Sequence, residues 1–305
     1  MGAAADESCA GKSCALARYA VASNNPRHRN GCFPDAPPLY RIGADRHTRP
    51  MKKKPSSRDW LPLARSEGAA AELPTGEAFR PEWIDFDRGI RVGNLEPHER
   101  ITQILKYGLE QRYGTPFVTD RWGRGVYWQW ICWLPRANRE AKPVSSHVNF
   151  GCAKFFISAD REGSIFQSGL QIERGSVQAD SGIPGTLAKD WDWHRLIRQC
   201  EGGTALDREI GRLVRREGFT ARLIGGITAS FTAENWESSR QIPQAAKKAP
   251  PDQWEGFQLF YPMSAGEVRG CTGHELVQAI FGVFGEVTEA MNQCMQVRLQ
   301  PARRP

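Results

Sequence analysis

The sequence predicts an α+β fold in which a mixed or antiparallel sheet is covered by three or four helices, and three observations carry this. Two segments, 97–112 and 273–296, repeat apolar residues at helical spacings of three and four. The run Val126–Leu134 (Val-Tyr-Trp-Gln-Trp-Ile-Cys-Trp-Leu) is apolar at both parities, the pattern of a strand covered on both faces. Residues 150–158 and 165–173 read as two strands around the turn-forming cluster Ala159-Asp160-Arg161-Glu162-Gly163-Ser164.

In chain order, residues 1–80 read as a disordered basic leader. The first 50 are rich in Ala, Arg, Asn and Pro without either period and cannot offset their ordering entropy by burial. Met51-Lys52-Lys53-Lys54 looks like a second start, so residues 1–50 read as a disordered extension or an upstream-start artefact, with a basic targeting arm as the functional rival. Ala10-Gly11-Lys12-Ser13 is not a phosphate loop, because Asp6 stands where that pattern needs Gly. A single domain is expected over 81–305.

Its first helix, 97–112, takes Pro97 near its first turn and stops at Gly114. In the strand 126–134, Trp128 and Trp130 share a parity and are expected on one face, with Trp133 on the other. In 165–173, Phe166, Leu170 and Ile172 face one way. Gln167, Gln171 and Glu173 face the other, which is expected to be wet. Short helices follow at 191–199 and from Thr204, whose Thr-Ala-Leu-Asp resembles a capping box, with Gly218-Phe219 as the stop. Strand returns at 219–231, a loop is expected at 241–253, and a short strand at 258–261. The last helix opens with Thr272-Gly273-His274-Glu275 and carries Leu276, Ile280, Phe284, Val287, Met291 and Cys294 on one side. Gly282 and Gly285 lower its propensity and are expected to meet a close neighbour.

Composition excludes more than it identifies. No apolar run is long enough to span a bilayer, and the first thirty residues lack a secretory apolar core, so a cytoplasmic protein without a membrane partner is expected. The eight cysteines are scattered without a CxxC pair, which argues for free thiols rather than disulfides or structural zinc. No pattern calls for a cofactor. The formal charge is +7, but residues 1–80 supply +5 of it, so the body is nearly neutral.

Against that neutral background, residues 112–142 stand out, with six Lys or Arg, two acids and seven aromatic residues. Arginines neutralise phosphates, and aromatic or guanidinium planes stack on bases. The leading expectation is therefore a non-catalytic recognition module for nucleic acid or another extended anion. Its contacts would be Arg121, Trp122 and Arg124, in a loop before the strand, and Arg136 and Arg139 beyond its other end. Since a nine-residue strand is near 30 Å long, both clusters acting together require an extended partner. The competing account makes the tryptophans core and the arginines solvated.

Two alternatives belong to other classes. A metal-dependent nuclease would use Asp160, Glu162 and Glu173 with Lys154 nearby; a partner-binding protein would take no small ligand. A Cys152–His147 dyad carries less weight, since Cys152 sits within a strand. His194 is expected to pair with Asp190 or Asp192. Arg208, Arg212 and Arg216, spaced by four, read as a helix face laced with ion pairs.

Overall fold

The structure is a computed structural model that describes residues 76–142, 151–174, 191–250 and 253–302. The chain divides into two units, 1–67 and 68–305, and every described residue lies in the second. The expected leader falls outside the described residues apart from 76–80. There Phe79 is already part of the core, with Trp83 packed edge-on against it at 5.6 Å.

Among the described residues, nine strands form one antiparallel sheet. Its main order is β3 (Phe117–Arg124), β4 (Tyr127–Pro135), β5 (Lys154–Asp160), β6 (Ile165–Arg174), β9 (Glu255–Ser264), β7 (Thr220–Gly225) and β8 (Ala229–Phe231). A small hairpin of β1 (Ile84–Asp85) and β2 (Gly89–Arg91) joins β4 at its first two residues. Trp128 pairs with Ile90 on one edge and Gly123 on the other, so β2 shares with β5 the edge of β4 that β3 leaves open.

Helices pack on one face of this sheet. The longest, α7 (Gly273–Cys294), starts with the full capping box that Thr272 and Glu275 announce, each bonded to the other's backbone N–H. Leu276, Ile280, Phe284, Val287, Met291 and Cys294 are all buried, and Phe284 stacks on Phe155 at 4.8 Å and lies 6.1 Å from Trp133. Fully burying a side chain of this size contributes roughly 1.5–3 kcal/mol. Helix α1 (Ile101–Tyr113) crosses α7 at Gly108, where a Cβ would stand 2.2 Å from the Phe281 ring; only glycine permits that approach. It starts after Pro97, which lies in a separate turn, and ends at left-handed Gly114 as its sequence implies. Of the two glycines of α7, Gly282 meets no neighbour and Gly285 meets one side chain of α1. They face outward, and only the Arg112 guanidinium, donating to the Phe281 carbonyl, comes near Gly285.

Several expected elements change. The loop expected at 241–253 contains helix α5 (Gln241–Ala246), whose Pro243 sits in the first turn where its missing N–H costs nothing. The short strand at 258–261 is the ten-residue β9 in the middle of the sheet. Pro262 lies past the last rung with β7, so it removes no ladder bond on that edge. A further short helix, α6 (Ala265–Gly270), follows with its own capping box, Ser264 and Glu267. The helices α3 (Asp192–Gln199) and α4 (Ala205–Arg216) occur where expected, Thr204 accepting from Asp207 N, and Gly218 takes the left-handed stop. Arg212 on α4 pairs with Glu209, Glu217 and Glu286, the ion-pair lacing its spacing implies. No helix of the described residues is long and apolar enough to cross a membrane.

Candidate functional site

Directly paired residues of neighbouring strands share a face, so the ladder assigns every side chain to the helix side or the far side. Arg121, Trp122 and Arg124 are not in a loop; they belong to β3, an edge strand paired only with β4. Alternation divides them, with Trp122 and Arg124 on the far side and Arg121 on the helix side.

The two tryptophans of β4 are divided as well. Trp122 pairs with Trp130 and Gly123 with Trp128, leaving Gln129 as an extra residue on β4, which is a bulge. The bulge returns Trp128 to the helix side, against the main core, while Trp130 packs on the far side with Cys132, Leu134, Phe156 and Phe260. The expectation that Trp128 and Trp130 share a face fails for this reason. Gly123 has φ +155°, and a Cβ there would stand 2.5 Å from the Trp128 Cα, so the bulge depends on a residue without one.

At this end of the sheet, arginines lie on aromatic faces. The Arg121 guanidinium covers Trp128 at 3.8 Å on the helix side. Partial burial pulls its pKa below the ordinary value, against the raising influence of Asp120. On the far side the Arg88 guanidinium covers Tyr127 at 4.0 Å, and Tyr127 pairs with both Arg91 and Arg124. Trp122, 49% exposed, stands beside them. Such stacking fixes a guanidinium plane while leaving its in-plane N–H groups pointing outward. Those of Arg88, Arg91 and Arg121 meet no acceptor among the described residues.

The nearby acids have local duties. Asp85 accepts from the backbone N–H groups of Asp87 and Arg88, Asp120 from that of Arg121, and Asp87 pairs with Arg161 at 3.5 Å. Neither Arg88 nor Arg91 was found by sequence reasoning. Their only signal was the turn-and-strand look of Asp87-Arg88-Gly89-Ile90-Arg91, about twenty residues before the aromatic stretch 112–142 begins.

The other two arginines stand apart. Arg136 and Arg139 open and close the short helix α2 (Arg136–Glu140) beyond the far end of β4, roughly 27–30 Å from Tyr127 at the rise of a strand. That helix is fixed by a buried cluster. The Asp192 carboxylate accepts from Ala153 N and Asn138 Nδ2, both at 2.7 Å, and pairs with Lys142 Nζ at 3.0 Å. Lys142, one of the six Lys or Arg of the 112–142 stretch, is therefore internal. Asp192 serves this cluster rather than His194, whose other expected partner, Asp190, lies outside the described residues; desolvation raises the Asp192 pKa above its ordinary value, against the Lys142 charge.

The far side farther along the sheet is not the wet surface expected of Gln167, Gln171 and Glu173, all of which are buried. Lys154 Nζ donates to Glu173 Oε1 at 2.9 Å, Trp254 Nε1 to Glu173 Oε2 at 3.1 Å, and Trp130 Nε1 and Gln258 Nε2 to Gln171 Oε1 at 2.9 and 2.7 Å. Desolvation works against the charge on Lys154, but the Glu173 carboxylate holds its pKa above the ordinary value.

The same ladder separates the acids of the nuclease alternative. Asp160 pairs with Ile165, whereas Glu173 lies eight residues farther along β6, about 26 Å away at strand rise. Among the described residues, no group of three or more His, Cys, Asp or Glu is placed to hold a metal ion. Cys152 is buried, and burial pushes its thiol up to about 11, the opposite of nucleophile activation; His147 lies outside the described residues. No protein-family model, curated protein or solved structure matches this chain.

Proposed function

We propose that this protein binds single-stranded nucleic acid, without catalysis, on the far side of the β3–β4 hairpin. Trp122 supplies a stacking surface there, and Arg88, Arg91 and Arg124 supply phosphate contacts. The observation that carries the reading is the Arg88 guanidinium set over the Tyr127 ring at 4.0 Å with its N–H groups unclaimed, beside a half-exposed tryptophan. Exposed aromatic faces suit unstacked bases, and guanidinium groups neutralise phosphates with release of counterions. A duplex offers no free base faces to Trp122, which favours single strands. Arg121 works from the opposite side of the hairpin. Arg136 and Arg139 lie too far along β4 to share a short ligand with it. Cytoplasmic placement fits this reading, since Cys132, Cys152, Cys200, Cys271 and Cys294 are free thiols.

Fluorescence anisotropy with a labelled oligothymidylate at two salt concentrations tests the proposal. Affinity should fall with salt, and Trp122→Ala should lose about 1–3 kcal/mol. Arg88→Ala and Arg124→Ala should each reduce the slope of log affinity against log salt by about 0.7. Arg136→Ala should leave both unchanged. Absence of binding by the wild type at low salt would refute the proposal, as would a Trp122→Ala variant that binds equally well.

A further inference from the structure

The ladder continues the row that begins at Trp122. Trp122 pairs with Trp130, Trp130 with Ser158, Ser158 with Gln167, and Gln167 with Pro262, so these residues of five strands share the far side. Trp130, Ser158 and Pro262 are half-buried, and only Gln167 is fully enclosed.

Beyond them, on β7, lies Arg222. Its guanidinium crosses the Phe260 ring at 4.8 Å and reaches the end of this row. Nη2 donates to Gln167 Oε1 at 2.9 Å and to Gln258 Oε1 at 2.7 Å, and Nε to the same Gln258 oxygen at 3.2 Å. Two neutral amides and a ring thus fix a half-buried cation. No carboxylate lies within ion-pair distance of it, and Nη1 meets no acceptor among the described residues. Asp160 is its nearest counter-charge, acting from beyond ion-pair distance, with Gln167 between them, whose Nε2 donates to Asp160 Oδ2 at 3.5 Å. Desolvation outweighs the influence of that distant carboxylate, and a cation that loses water with no counter-charge in contact is costly unless an anion arrives from outside.

The spacing suits one long ligand. From β3 to β7 there are five strand spacings, about 24 Å. Asp120 and Asp160 flank the row on either side. Their carboxylates accept from Arg121 N and from Glu162 N, and they would repel phosphates that strayed from the line.

We infer that Arg222 is a second phosphate contact and that one oligonucleotide strand crosses the sheet from Trp122 to Arg222. This rests on the single-strand reading above and adds a path, a direction across the strands and a minimum length to it.

The experiment compares the full chain with Arg222→Gln and Arg222→Lys, using labelled oligothymidylates of about 4, 8 and 12 nucleotides, a range that brackets common single-strand sites. Wild-type affinity should rise with length until the span is covered. Arg222→Gln should stop gaining at a shorter length and lose about 0.7 from the salt slope, while Arg222→Lys keeps the slope. In parallel, a bound long oligonucleotide should protect Arg222 of the wild type from an arginine-selective dicarbonyl reagent, a readout independent of whether the Gln variant folds. Unprotected Arg222 on oligonucleotide-bound wild type would overturn the path and leave the hairpin reading standing. A folded Arg222→Gln with unchanged length dependence would do the same. Failure of the wild type to bind any length at low salt would overturn both.

Discussion

Lys154 and Phe155 are neighbours in β5, yet they enter different environments. Phe155 stacks on Phe284 of α7 within an apolar core that includes Trp133 and Ile157. Lys154, on the other side of the same strand, is equally buried, but among Glu173, Gln171 and the Trp130 ring. The helix side is held by apolar area, which tolerates loss in proportion to the cavity left behind. Around Lys154 the far side is held by a polar network in which each member satisfies another, so removal of one leaves an unpaired group in a dry place. One side specifies stability, and the other specifies an arrangement.

The largest effect expected from this contrast is on the helix side. Phe284→Ala removes the ring that touches Phe155, Trp133 and Phe281 and should cost about 3–5 kcal/mol in denaturant unfolding. A loss under about 1 kcal/mol would mean that α7 is not packed as described. On the far side, Glu173→Leu strands a buried ammonium and should cost about 3 kcal/mol. The double variant Lys154→Met, Glu173→Leu should recover much of that, because the desolvation of both charges disappears. A double variant weaker than either single one would show that the pair contributes net stability, and the contrast between the faces would blur.

A smaller effect is pH-dependent and arises at the sheet's end. Glu255 is fully buried, one of its oxygens lacks a hydrogen-bond partner, and its cross-strand neighbour is Arg174. Burial pushes its carboxyl up to about 7, against the backbone N–H groups of Ile227 and Gly226 and the Arg174 charge. The folded carboxyl then binds a proton more tightly than the unfolded one, whose pKa is about 4.3. Stability from this group is present below about pH 4 and falls as pH rises toward about 7. Each pH unit climbed between those values should cost at most about 1.4 kcal/mol, and Glu255→Gln should remove the loss, as read from urea midpoints across that range. A wild-type curve parallel to that of the variant would show Glu255 titrating normally.

Helical elements were legible because their signals are local. The Thr272–Glu275 box, the three-and-four spacing of α7 and the Gly218-Phe219 stop each lie within a turn or two of the structure they specify. The far side was misread for a definite reason. Alternation separates Gln167, Gln171 and Glu173 from Phe166, Leu170 and Ile172, but it does not tell whether the second face is covered. The bulge at Gln129 inverted the reading of Trp128, since one extra residue reverses a period of two. The expected strand 258–261 is shorter than β9 at both ends; on the later side Pro262 is tolerated because it lies past the last rung with β7, a position that only the pairing shows. Within the proposed site, Trp122 and Arg124 were legible from local charge and aromaticity. Arg88, Arg91 and Arg222 were not, since only strand pairing brings them to the same face.

That pairing also bears on how quickly the sheet can assemble. β5 and β6 meet across a short turn, but β9, the other neighbour of β6, comes about 80–100 residues later, after α3, α4, β7, β8 and α5 have been made. Ten rungs depend on closing that loop, and its entropy must be spent before any of them forms. Refolding should therefore begin with the β5–β6 hairpin and wait for β9. During that interval the exposed edge of β6 is open to pairing with another chain. Yield on refolding from denaturant should fall steeply with protein concentration, even where the native state shows no tendency to associate.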